Sequence, residues 1–286
     1  MAAKQRRALG ALLVLSFGAL AAPREIKPGW NLFSKEQDIQ LGREAAQEIE
    51  GKVQLVRDAQ VQRYVQRIGE RLASQPEADE YPYTFKVVKE DSINAFALPG
   101  GPTYIHTGLI KAADNEGQLA GVMAHEIAHV ALRHGTHQAS KANAVKLPAM
   151  LLGAIVGNDG GMVGQLAQLG IGLGANSILL KYSRDAERQA DIHGARMMAK
   201  AGYNPIEMAR FFEKLEAEGG SRGPAWFSSH PNPGNRTKLI EEEIQQLPNK
   251  NYDAPSGDLR GIQSKLAGLP AAPAERGRKR AAARSR

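Results

Sequence analysis

Residues 125–129 read His-Glu-Ile-Ala-His. On a helix, residues four apart share a face with Cβ atoms about 5–6 Å apart, so the imidazoles of His125 and His129 can close on one zinc ion at roughly 2.0–2.1 Å. Glu126 is turned about 100° around the helix from His125, beside such an ion and not onto it. From there its carboxylate can take a proton from an attacking water and return it to the leaving group. The pattern implies metal-assisted hydrolysis with one zinc ion as cofactor.

Two histidines do not complete a catalytic zinc site, which takes three protein ligands and keeps one position open. An extended motif would need Gly at 132 and His at 135, where Leu132 and Gly135 stand. His134 falls nine residues after His125, about 180° around a continuous helix, and is expected to point away. His137 follows Gly135 and is expected past the helix end. Neither is read as a ligand; both are expected to be solvated or capping. Glu187 and Asp191 form an i, i+4 pair in Arg184-Asp185-Ala186-Glu187-Arg188-Gln189-Ala190-Asp191. One could ligate the metal while the other accepts the N–H of a ligating imidazole. Spacing alone does not separate that reading from an exposed acidic pair.

These side chains need elements to hold them. Asn115, with Gln118 at the capping-box position, starts a helix whose Leu119, Val122, Met123, Ile127 and Val130 supply an apolar stripe. Helical periodicity returns from Tyr182 to Ala201 and stops at Gly202, and Asn204-Pro205 opens a further helix. Upstream, Ser34 with Gln37 and then Asp58 announce two more helices. Between them and the His-Glu motif the period changes to two: Tyr83–Val88, Ile93–Leu98 and Thr103–Thr107 read as strands, with short links that favour an antiparallel meander.

The chain has 286 residues, no cysteine and a formal charge of +7. The excess sits at the ends. Lys4, Arg6 and Arg7 carry no balancing acid, and the stretch Glu275–Arg286 is dominated by Arg and Lys, so the body is near neutral and a nucleic-acid-binding body is excluded. The basic start, the apolar run Leu9–Leu20 and Ala19-Leu20-Ala21 read as a signal peptide over 1–21, its core short of the roughly 20 residues a span needs. The stretch 141–180 is apolar and rich in glycine, and is expected to fold over the cleft as a lid. Beyond about Pro248 the composition suggests a disordered basic tail.

Several stretches together resemble the M48 metallopeptidases, a family with Ste24-like, Oma1-like and periplasmic quality-control members. They are Asn94-Ala95-Phe96-Ala97-Leu98-Pro99-Gly100-Gly101, the His125–His129 motif, Tyr182-Ser183-Arg184 with Glu187 and Asp191, Gly202-Tyr203-Asn204-Pro205, and Ser229-His230-Pro231 with Arg236. The resemblance covers about 32–247 and implies an α+β, mostly helical gluzincin fold with a small antiparallel β-sheet beside the active-site helix. It implies Glu187 as third ligand, Asp191 as the residue orienting a histidine, and Asn94, Ala95, Phe96 and Ala97 as an edge strand pairing with substrate backbone. The histidine matching His230 blocks the metal or contacts substrate. Arg236 is a weaker candidate for stabilising a developing oxyanion.

The implied function is a zinc endopeptidase acting in the periplasm on unfolded or misassembled envelope proteins, with peripheral membrane contact as a further possibility and oligomeric state undefined. The several membrane helices of prenyl-protein-processing members and the C-terminal helical repeats of the periplasmic relative are missing from the sequence. Two rivals stand beside this reading. One is a zinc-binding chaperone-like module, which would not need Glu126. The other is a membrane-embedded protease, which the glycines, Pro148 and Asp159 of the 147–180 stretch oppose.

Overall fold

The computed structural model describes residues 25–142, 144, 182–218, 225–232, 234–248 and 251–269. The 1–21 leader and nearly all of the 141–180 lid lie outside these residues.

Helix α1 (Lys35–Glu50) begins at Ser34 with both halves of the expected capping box in place, and α2 (Ala59–Ala73) begins at Asp58, whose side chain accepts from Gln60 and Val61 N–H. Strands β1 (Thr84–Val88), β2 (Ala95–Ala97) and β3 (Pro102–His106) follow. Their order differs from the expected meander. The sheet runs β1-β3-β2, with β2 antiparallel and β1 parallel to β3. The physical reason is burial: Thr103, Tyr104 and Ile105 of β3 are all buried, so β3 takes the centre and β2 becomes an edge. Between β2 and β3 the chain turns through Gly100 and Gly101 at φ 75° and 119°, a conformation that side chains resist.

The pleat sends Phe85, Val87, Ala95 and Ile105 into the main core with α2 and the motif helix. Val88, Leu98 and Tyr104 face a second cluster with Leu41, Ala45 and Ile49 of α1. After the short α3 (Thr107–Ala112) comes α4 (Glu116–Ala131), capped by Asn115. It carries the His-Glu motif and is buried along nearly its whole length, which marks it as the central helix. It ends at Ala131, and Arg133 takes φ 55° before α5 (His134–Ala142).

Helix α6 (Arg184–Lys200) packs against α4. Gly194 allows the approach, because a Cβ there would meet Ala124 C and His125 N at 3.2 Å. Helix α7 (Ile206–Glu218) packs against α4, and α8 (Arg236–Gln246) packs against both α6 and α7. The expectation of disorder beyond Pro248 fails for 251–269. This stretch carries α9 (Leu259–Ala267), which buries Leu259, Ile262 and Leu266, and Gln263 Nε2 donates to the carbonyls of Ile110 and Ala113. Apolar residues at 3–4 spacing outweigh the Pro- and Gly-rich composition around them. No helix among the described residues is long and apolar enough to cross a membrane.

Candidate metal centre

Helix α4 presents His125, Glu126 and His129, and all three are buried. Helix α6, capped by Ser183 Oγ, brings Glu187 in its first turn and Asp191 one turn later. The loop before α8, through a short 3-10 turn at Ala225–Ser228, brings His230. His125, His129, Glu187 and His230 each offer a ligand atom, and these atoms lie within 4.8 Å of one another. The Nε2 atoms of His125 and His129 are 3.0 Å apart, and each lies 3.3 Å from an oxygen of Glu187. A tetrahedral shell at zinc–ligand distances of about 2.0–2.1 Å sets its donors roughly 3.3–3.4 Å apart, so the spacing suits zinc.

Charge gives a second, independent test of fit. Glu126, Glu187 and Asp191 are buried around one buried cation, Arg236. The two uncompensated negative charges call for a divalent cation, since unpaired buried charge is costly. Burial works against a charged His125, yet Glu187 and Asp191 overcome it and push that group up to about 9. His129 is driven well below the ordinary imidazole range by burial, with the adjacent His125 adding to the shift. Burial would raise Glu187, but His230 and His125 hold it well below the carboxylate range.

The surrounding contacts divide the roles. Asp191 Oδ1 meets His125 Nδ1 at 2.9 Å. Arg236 Nε and Nη2 donate to Asp191, and Nη2 also donates to Glu187 Oε2 at 3.0 Å. Its Nε and Nη2 thus hold the two acidic side chains, while its Nη1 is buried without a partner. Glu126 receives Ala97 N–H on Oε2 at 3.2 Å and the Trp226 indole N–H on Oε1 at 3.3 Å.

That Ala97 contact locates the sheet edge. Leu98 N–H bonds Pro102 O and His106 N–H bonds Asn94 O, so the main-chain groups of Ala95 and Ala97 point away from β3 in an antiparallel pair. Among the described residues no strand pairs with this edge of β2, which lies beside Glu126 with Ala97 N–H held by its carboxylate. Ala97 and Leu98 share a narrow cleft with His129 and Tyr182. Phe96 turns to the other face and stacks on Tyr104 at 5.1 Å. Asn94 is buried at the start of the strand with its Oδ1 unpartnered.

Three residues have a larger part than sequence reasoning assigned. Trp226 is fully buried and stacks between His230 at 4.5 Å and Phe212 at 4.7 Å; its place four residues before His230 is the sole hint in the sequence. Tyr182 stacks on His129 at 3.9 Å. His134 does not point away. Because α4 stops at Ala131, Arg133 turns the chain and His134 folds back, with Nδ1 2.9 Å from His129 Nδ1, and burial pushes it down to about 4. It stays outside the ligand cluster, as expected. His137 bonds Trp30 O, away from the centre.

The family model for peptidase family M48 matches residues 59–244. The chain is 32% identical over 217 residues to the beta-barrel assembly-enhancing protease of Escherichia coli (strain K12), covering 74% of this chain and 44% of that protein. It is 30% identical over 185 residues to the mitochondrial metalloendopeptidase OMA1 of Schizosaccharomyces pombe, covering 64% and 53% respectively. To the metalloprotease YcaL of Escherichia coli it is 29% identical over 164 residues, 57% of this chain and 63% of that protein. The chain spans about half the length of such relatives.

Proposed function

The chain belongs to peptidase family M48, and from that premise we propose that it is a zinc-dependent endopeptidase that hydrolyses unfolded or misassembled proteins of the cell envelope. The observation that carries this reading is the buried cluster of His125, His129, Glu187 and His230 with Glu126 beside it. His125, His129 and Glu187 hold the zinc. Bound there, zinc supplies Lewis acidity that polarises the scissile carbonyl and acidifies a water.

The chain's own groups do the rest. The substrate lies extended and antiparallel along Ala95–Ala97, where main-chain hydrogen bonds grip a peptide regardless of its side chains. Glu126 takes the proton of the attacking water and passes it to the departing amine. Asp191 and Arg236 keep His125 and Glu187 in place. His230 stands at the fourth ligand position and holds the enzyme weakly active until substrate arrives. The name of one relative, a beta-barrel assembly-enhancing protease, supports substrates among envelope proteins, and the signal-peptide reading of residues 1–21 supports the periplasm as its place.

The test uses the purified chain and casein. Zinc should be present at one per molecule, a chelator should stop cleavage at internal bonds, and added zinc should restore it. Cleavage that persists after the metal is stripped would refute the proposal. A protein that binds zinc, holds unfolded chains and never cuts them would establish the chaperone-like alternative.

A further inference from the structure

His129 reaches the metal centre through Nε2, which faces Glu187 Oε1 at 3.3 Å and His125 Nε2 at 3.0 Å. A ligating imidazole offers the lone pair of that nitrogen, so its hydrogen must sit on Nδ1. His129 is buried, and a buried N–H left without an acceptor is destabilising. The group it faces is His134 Nδ1 at 2.9 Å. Two ring nitrogens can form a hydrogen bond only if one of them is bare. His134 must then carry its own hydrogen on Nε2, and that nitrogen lies 3.1 Å from Gln189 Oε1. One requirement at the metal therefore sets the protons and the amide orientation of three residues in a row.

From this geometry we infer that His134 and Gln189 form a neutral hydrogen-bond relay that fixes the tautomer and tilt of His129 as a zinc ligand. The inference rests on reading His129 as a ligand. It makes the two histidine ligands unlike. His125 leans on a carboxylate, Asp191, which Arg236 compensates. His129 leans on an uncharged ring. A second acid at position 134 would add negative charge to a centre that already holds two more carboxylates than guanidiniums; an imidazole supplies the acceptor without the charge.

The backbone is built to place that ring. The helix stops at Ala131, Arg133 takes a positive φ, and its guanidinium is tied to Asp38 Oδ2 and Phe33 O at 2.6 Å each. This anchors the turn to the start of α1. Gln189 comes from α6 between Glu187 and Asp191, so the helix that supplies the third ligand also ends the relay. Tyr182 covers the face of His129 and leaves its tilt to the hydrogen bond. His134 and Gln189 are positioning residues, since neither lies in the ligand cluster.

The test measures zinc affinity of the full chain by competition with a metal indicator. His134→Leu should weaken binding by about 10–100-fold, the usual effect of losing such a partner. His134→Gln, whose amide oxygen can still accept from Nδ1–H, should stay within about threefold of wild type, and Gln189→Leu should fall between them. Equal affinity for His134→Leu and wild type, or His134→Gln as weak as His134→Leu, would overturn the relay while leaving the ligand reading intact. Wild type that binds no zinc would overturn both. Nitrogen-15 NMR of the zinc-loaded wild type serves if His134→Leu fails to fold. It should show His134 with its hydrogen on Nε2, and a hydrogen on Nδ1 would refute the relay.

Discussion

His230 Nδ1 stands 3.2 Å from Glu187 Oε1 and 3.3 Å from His125 Nε2, while its Nε2 lies 3.3 Å from Glu126 Oε1. A catalytic zinc centre keeps a position open for water, and a third imidazole in that place competes with it. His230→Ala should then raise basal cleavage of unfolded casein several-fold with zinc content unchanged. Loss of cleavage at full zinc occupancy would mean that His230 assists the reaction. At this scale the sequence was readable where chemistry follows spacing. His125, Glu126 and His129 are fixed by helix geometry alone, whereas Glu187 and Asp191 needed the family resemblance to tell them from an exposed acidic pair. Trp226 was not readable, because its indole meets Glu126 across 100 positions of sequence. His134 was misplaced by extending α4 past a residue with positive φ, a break that Arg133 does not announce.

Helix starts were legible because capping is local chemistry: Ser34, Asp58 and Asn115 all cap as their side chains suggest. Strand order was not, since alternation shows which face is buried but not which strand is central. The closing element was missed as well, although Leu259, Ile262 and Leu266 keep helical spacing. Glu116, at the start of α4, ties that element down. Its Oε2 accepts from Arg67 Nη2 and Gly257 N–H at 2.6 Å each, and its Oε1 from Tyr203 Oη at 2.9 Å. Burial raises this carboxyl, but Arg67, Gly257 and Tyr203 together hold it below 4.5. Near that pH the unfolded chain binds more protons here than the folded one, so the stabilisation is full above about 4.5 and is lost as pH falls through the lower folded value. Glu116→Gln should cost about 1–3 kcal/mol at neutral pH, with the gap to wild type closing in acid. Urea midpoints across pH measure this, and a gap that widened in acid would contradict the assignment.

At the scale of the molecule, the described residues place a buried, negatively charged cluster between α4 and α6, with a sheet edge alongside, on a body whose own charge nearly cancels. Export is expected from residues 1–21, so cell fractionation should find the protein in the envelope; a cytoplasmic protein retaining Met1 would remove the case for envelope substrates. The most direct measurement concerns Glu126, which touches the cluster without belonging to the ligand set. Purified Glu126→Gln should hold one zinc per chain as wild type does, because His125, His129 and Glu187 are intact. Its cleavage of casein should fall by at least about 10²–10⁴-fold, the contribution of a positioned general base. A zinc-loaded Glu126→Gln protein that cleaves casein at the wild-type rate would contradict the mechanism.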